Sequence, residues 1–330
     1  MARVSIRGDK CSELASLVKR LNIELDPFID PRYYPPPDAD PSYVAQYFFF
    51  MVAIDHRTGT PSMPFEGYVD GEFYHGADLL YRLGMLKYEE DPDFFSARYM
   101  SRITAEGVSS WLSVKEPRHV RVRDPEIRAM LLRDAAHKLL AQYLGNPLSI
   151  FKGESRDWFR ALGSFLAYSD PVAKKSFLLI KFLERRHLIS MIPAMELHVP
   201  VDNHLTRIAL RLGIVMPDKE MWHIILSGRE VPDEVDVMIR LVVRKAYFLV
   251  CEEARIRPTY LDDLLWSLGR TCCTRERPVC VLGCNRVKCT TKRILGSCNG
   301  TCPFISACDA FREHKALKIV EHTKLNTWYY

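Results

Sequence analysis

Eight of the ten cysteines in this 330-residue chain lie between Cys272 and Cys308. Thiols crowded into so short a segment point to a shared metal or to a set of disulfides, and the compartment decides between them. The N-terminus, Met-Ala-Arg-Val-Ser-Ile-Arg-Gly-Asp, lacks an apolar signal core. A cytoplasmic protein is therefore expected, and there metal binding comes before a disulfide framework. Four thiolates suit a [4Fe–4S] cluster or a tetrahedral zinc, so both stay open on residue type alone. The longest apolar run, Tyr47 to Ile54, falls far short of the roughly 20 residues that a membrane helix needs, so no membrane partner is expected.

Charge is skewed in the same direction. The whole chain carries +5, yet from Arg270 to Tyr330 eleven Lys and Arg face four Asp and Glu, which leaves the remainder slightly acidic. The basic residues on the cysteine segment, Arg275, Arg277, Arg286, Lys288, Lys292 and Arg293, are candidates for contacting phosphates. They equally serve to balance thiolates and keep the loop soluble.

The rest of the chain reads as all-α. The proline-rich stretch Pro31–Pro41 cannot continue a helix, and Tyr43 to Ile54, apolar on every side, predicts a buried one. Glycines and aromatics alternate between Phe65 and Leu83, predicting turns followed by a short helix. Asp124 and Asp170, each followed by proline, read as helix caps. The first would direct a stripe of Ile127, Met130, Leu131, Ala135 and Leu139 inward, the second Phe177, Ile180 and Leu183. Asp202 precedes a third helix with Leu205, Ile208, Ala209 and Leu212 inward and Gly213 as its stop. A long amphipathic helix is expected over Asp233–Cys251 and a short one over Leu261–Leu268, stopped by Gly269.

The cysteine segment follows Leu268-Gly269-Arg270, places six residues between Cys273 and Cys280, and ends Cys302-Pro303 with five residues before Cys308. In this it resembles the iron–sulfur loop of the endonuclease III and MutY branch of the helix-hairpin-helix (HhH-GPD) DNA glycosylases. An insertion carrying Cys284, Cys289 and Cys298 interrupts the pattern. The resemblance implies Cys273, Cys302 and Cys308 as ligands, with Cys280 or Cys298 as the fourth. Val199-Pro-Val-Asp202-Asn-His204 resembles the segment that carries the catalytic aspartate in that superfamily, which implies that role for Asp202. Asp170-Pro-Val-Ala-Lys174-Lys175 resembles the Schiff-base lysine segment of the archaeal 8-oxoguanine glycosylases, implying Lys174, with Lys175 its adjacent rival, as an amine nucleophile. The family's glycine-rich hairpin is not matched, since Leu162–Asp170 carries only Gly163.

A more diffuse resemblance to the queuosine-nucleotide N-glycosidases runs from Tyr47 to Ser113, through Phe48-Phe49-Phe50, Glu66-Gly67-Tyr68 and Ala97–Thr104. Candidates for a base pocket there are Asp55, His56, Tyr74 and His75, set among aromatics. These resemblances together imply a two-lobed helix-hairpin-helix glycosylase-like fold with a C-terminal [4Fe–4S] loop. Residues 1–41 would pack on the C-terminal module, 42–120 would begin the glycosylase fold, 121–230 would hold the catalytic segment, and 231–330 the cysteine module. The implied activity is removal of a modified or damaged nucleobase from DNA in base excision repair, by a monomer, with lyase activity if Lys174 is engaged. Salvage of a modified nucleotide and non-catalytic DNA binding are the rival readings.

Overall fold

Asp40 accepts a hydrogen bond from Ser42 N, and Pro41 occupies the first helical turn. That cap starts the first long apolar helix, Pro41–Ala53, ahead of the apolar run itself. The computed structural model describes residues 3–60, 62–284 and 289–330. Among these the chain is mostly helical, with three two-stranded antiparallel pairs. No described helix is long and apolar enough to cross a membrane. The chain divides into two compact units, Met1–Asp26 with Ile192–Leu325, and Pro27–Met191 with Asn326–Tyr330.

In the second of these units, helix Pro41–Ala53 is buried from Val44 to Ala53 except at Gln46. Phe48 stacks on Phe182 at 4.8 Å, and Phe49 stacks on Tyr168 at 5.2 Å. Such ring pairs add to the apolar burial that holds the unit together. The glycine-aromatic segment forms a hairpin, Glu66–Val69 with Glu72–His75, before helix Ala77–Glu90. Gly67 is required there, because a Cβ would lie 2.6 Å from the Glu116 carbonyl oxygen.

Helix Pro125–Tyr143 departs from expectation in two ways. Asp124 is left-handed at φ 53° and makes no side-chain cap; it pairs instead with Arg123 at 2.9 Å. The buried face is also rotated: Arg128, Ala129, Leu132 and Ala136 join Leu131, Ala135 and Leu139, while Met130 is exposed. Arg128 sets this rotation by reaching inward to main-chain carbonyls. Asp170 also caps in a different register from that expected. Its carboxylate accepts from Val172 N and Lys174 N, and helix Lys174–Arg185 starts only after Ala173.

In the other unit, strand Val4–Ile6 pairs with Val215–Pro217, and helix Gly8–Val18 packs against Asp233–Ala254. Lys10 Nζ donates to the Ala307 carbonyl at 2.7 Å, tying the N-terminal helix to the end of the cysteine segment. This N-terminal contribution ends at Asp26, not at residue 41. From Pro27 the chain belongs to the second unit, where Phe28 packs edge-on against Phe182 at 4.5 Å. Gly269 does not stop its helix, which runs Pro258–Thr271. A Cβ at Gly269 would lie 2.7 Å from His204 Cβ, so glycine permits close approach of helix Asn203–Leu212.

Candidate functional site

Helix Asn203–Leu212 organises the cysteine-bearing unit. Asp202 sits at its N-cap, buried, with Oδ1 accepting from Leu205 N at 2.9 Å. One carboxylate oxygen is thereby fixed by the cap, and the whole group is aimed by the helix start. His204 Nδ1 meets Arg207 Nη2 at 2.9 Å, and burial pushes this imidazole down to about 4. A histidine held neutral against an arginine is a positioned hydrogen-bond partner for that arginine.

Arg207 and Arg211, one turn apart, are both fully buried. Arg207 donates to the carbonyls of Gly269 and Cys273 and to Glu321 Oε1. Arg211 donates to the carbonyls of Thr274, Arg275 and Ile319 at 2.7 to 3.0 Å, and to Cys273 Sγ at 3.3 Å. Burial alone would raise Glu321, but the charges of Arg207 and Arg275 outweigh it and hold the carboxyl at about 2. The two arginines thus bind the start of the cysteine segment to the helix that Asp202 caps. Two arginines four apart within an apolar stripe are the sequence signal for this clamp.

Beside this clamp, Cys273, Cys280, Cys302 and Cys308 line one apolar cavity, together with Cys272, Leu268, Phe304 and the stem of Arg211. Cys298 lies elsewhere, its sulfur accepting from Gly300 N at 3.4 Å. All ten cysteines are free. Burial pushes the Cys308 thiol up to about 11 and raises Cys280 and Cys302 as well. As free thiols they would stay protonated, and a metal would displace those protons. Among the described residues no three His, Cys, Asp or Glu side chains converge on a point as they would around one metal ion. In chemistry the donor set suits a thiolate-bound cluster: five cysteines line the apolar cavity, and a guanidinium donates to the sulfur of one of them, Cys273.

The second unit gathers the lysine candidates. Lys174 Nζ lies 3.2 Å from both Asp55 Oδ2 and the Asp55 carbonyl. Lys175, fully buried, donates to the Ala53 carbonyl at 2.6 Å and contacts His56 Nδ1 at 3.4 Å. Arg128 donates to the carbonyls of Ile54, His56 and Arg57. Three cations therefore satisfy the carbonyls leaving helix Pro41–Ala53, where its dipole favours positive charge. Burial, with Lys174 alongside, pushes Lys175 well below the ordinary lysine value. Burial, with Arg128 and Lys175 nearby, does the same to His56. Asp55 and His56 are thus brought to the lysines. Tyr74 and His75 belong to the hairpin, where the Tyr74 hydroxyl donates to Glu72 and its ring meets Tyr33 edge-on.

Of the phosphate-contact candidates, Arg277 and Lys292 are exposed. Arg275 pairs with Glu321, and Arg293 with Asp26 at 2.8 Å. Arg286 and Lys288 lie outside the described residues. No family model matches this chain, and no curated protein matches it.

Proposed function

We propose that this chain is an N-glycosidase that removes a modified or damaged base from DNA, with a [4Fe–4S] cluster held by Cys273, Cys280, Cys302 and Cys308. The observation that carries the reading is the single helix Asn203–Leu212, which presents a fixed carboxylate at its start and grips the thiol-lined cavity further along. The resemblances at both places lend support to it. Cleavage breaks the bond between C1′ and the base nitrogen, and the electron pair leaves with the base. Asp202 stabilises the oxocarbenium character left on the sugar and orients the water that attacks C1′. That water loses a proton as the departing base gains one.

When bound, the cluster supplies folding energy and fixes the cysteine segment. Exposed Arg277 and Lys292 would then face phosphates. Lys174 is committed to Asp55 and to a helix-end carbonyl, so a Schiff-base step would first have to break those bonds. Hydrolysis by water is therefore the primary reaction proposed. A screen of bases released from a panel of damaged duplexes and free modified nucleotides tests the function. Release from a duplex that weakens steeply as salt rises supports a DNA substrate. Release from free nucleotides alone would move the substrate to nucleotide salvage, and release from neither would remove the activity. Borohydride trapping on the active duplex separates the lyase: an adduct lost in Lys174→Ala would restore the amine mechanism.

A further inference from the structure

Phe73 is the one exposed phenylalanine among the described residues, and it does not stand alone. Its cross-strand partner in the hairpin Glu66–Val69 with Glu72–His75 is Tyr68, also exposed, and the two rings meet edge-on at 5.3 Å. We infer that this ring pair, with Lys115, Arg118 and Arg121 beside it, is a stacking platform for an unpaired strand of DNA.

The backbone builds the placement. Its register sets Tyr68 directly opposite Phe73, and the left-handed Asp70-Gly71 turn fixes that register. Side chains alternate across a strand, so Gly67 and buried Tyr74 take the other face while both rings meet solvent. The Glu116 carbonyl accepts from Tyr68 N at 3.0 Å, which seats a second hairpin, Ser113–Val114 with Val120–Arg121, on the edge of the first. Lys115 directly precedes Glu116, Arg118 follows it by two positions, and Arg121 stands opposite Ser113. All three cations are exposed and form no ion pair among the described residues.

Nearby carboxylates do not cancel this charge. Asp70 pairs with Arg82 at 2.7 Å, and Glu72 accepts from the Tyr74 hydroxyl and lies 3.6 Å from Arg32. Glu66 and Glu116 are the remaining acids of the two hairpins. Cations at the edge of exposed rings match a polyanion that carries planar groups. In a duplex those groups are stacked inside, whereas an unpaired strand offers bases to the rings and phosphates to the cations. A membrane surface would reward a broader apolar face than two rings, one of them bearing a hydroxyl. The choice of DNA over RNA rests on the base-release reading, since extruding a base unpairs the duplex locally.

Fluorescence anisotropy of a labelled thymidine strand of about 12 nucleotides, titrated with the full chain over a range of salt, tests the platform without any base release. The wild-type chain should bind it about tenfold more tightly than an abasic strand of the same length. Tyr68→Ala/Phe73→Ala should lose that preference with the salt slope unchanged. Tyr68→Leu/Phe73→Leu should lose it too, although it keeps the apolar bulk of the hairpin. Arg118→Gln/Arg121→Gln should keep the preference and reduce the slope by about 1.4, the share of two phosphates. Arg156→Gln/Arg160→Gln, which removes two ion-paired arginines from helix Ser155–Gly163, should change neither. Equal binding of the two strands by the wild-type chain overturns the platform, as does a preference kept in both aromatic variants. Tighter binding of a uridine RNA strand, or phosphatidylserine vesicles that bind the wild-type chain but not Tyr68→Ala/Phe73→Ala, would overturn the choice of DNA. Strand preference without base release would remove the glycosidase reading alone, and base release without strand preference would remove the platform alone.

Discussion

The two units meet one requirement, the carbonyls left unpaired beyond a helix, with different cations. In the cysteine-bearing unit the clamp is Arg207 and Arg211, with Glu321 balancing the first. In the other unit it is Arg128, Lys174 and Lys175, with Asp55 at Lys174 and a neutral histidine at Lys175. The arginine clamp keeps its charge across ordinary pH. The lysine clamp contains two groups, Lys175 and His56, that burial drives toward neutrality. The first suits a loop held fixed at any ordinary pH; the second responds to pH.

The comparison breaks most visibly on removal of a clamp arginine. Arg211→Met leaves three carbonyls unpaired and should cost roughly 3–5 kcal/mol in denaturant unfolding, with iron lost as well. Arg128→Met should destabilise comparably while leaving the iron content of the refolded protein intact. Equal iron loss in both variants would erase the distinction between the two clamps.

Glu321→Gln comes next. The Glu321 carboxyl falls from an ordinary 4.5 to about 2 in the folded chain. Its stabilisation is thus complete above 4.5 and is lost as pH falls toward about 2. Its size is about 3 kcal/mol. Chemical denaturation at pH 7 and pH 3 should show the variant's deficit shrinking at the lower pH, and a constant deficit would contradict the ion pairing. Gly269→Ala should cost about 1–3 kcal/mol by pressing on His204, read as a lowered Tm with the pH dependence unchanged.

The mildest effect separates the lysine clamp. His56 is buried neutral, with its folded value well below 6.5, so the unfolded chain binds the extra proton first. Stability should be complete above 6.5 and fall with pH below it, by up to about 1.4 kcal/mol per unit. His56→Gln should flatten that slope, and an unchanged slope would assign it to another group.

Much of this organisation was legible in the residues. Asp202 announced a helix start and Gly213 its stop, because caps and left-handed stops are local chemistry. The rotated face of helix Pro125–Tyr143 was not legible, since Arg128 is buried for the sake of carbonyls some seventy residues away. Gly269 read as a stop because its reason, the nearness of His204, is a tertiary contact. The resemblance singled out five candidate cysteines, but only the fold placed Cys280 at the cavity wall and Cys298 in its own turn. The arginine clamp was hidden for a similar reason. Arg207 and Arg211 look like solvated charges until the loop they bind is in place.

The most direct measurement is base release by wild-type protein and Asp202→Asn, compared on the best substrate from the panel at matched iron content. Asn retains the cap hydrogen bond to Leu205 N but not the negative charge. Release should fall by about 10² or more, the order lost when a single electrostatic stabiliser is removed, with folding and iron unchanged. Release by Asp202→Asn at the wild-type rate would contradict Asp202 as the carboxylate that carries the reaction.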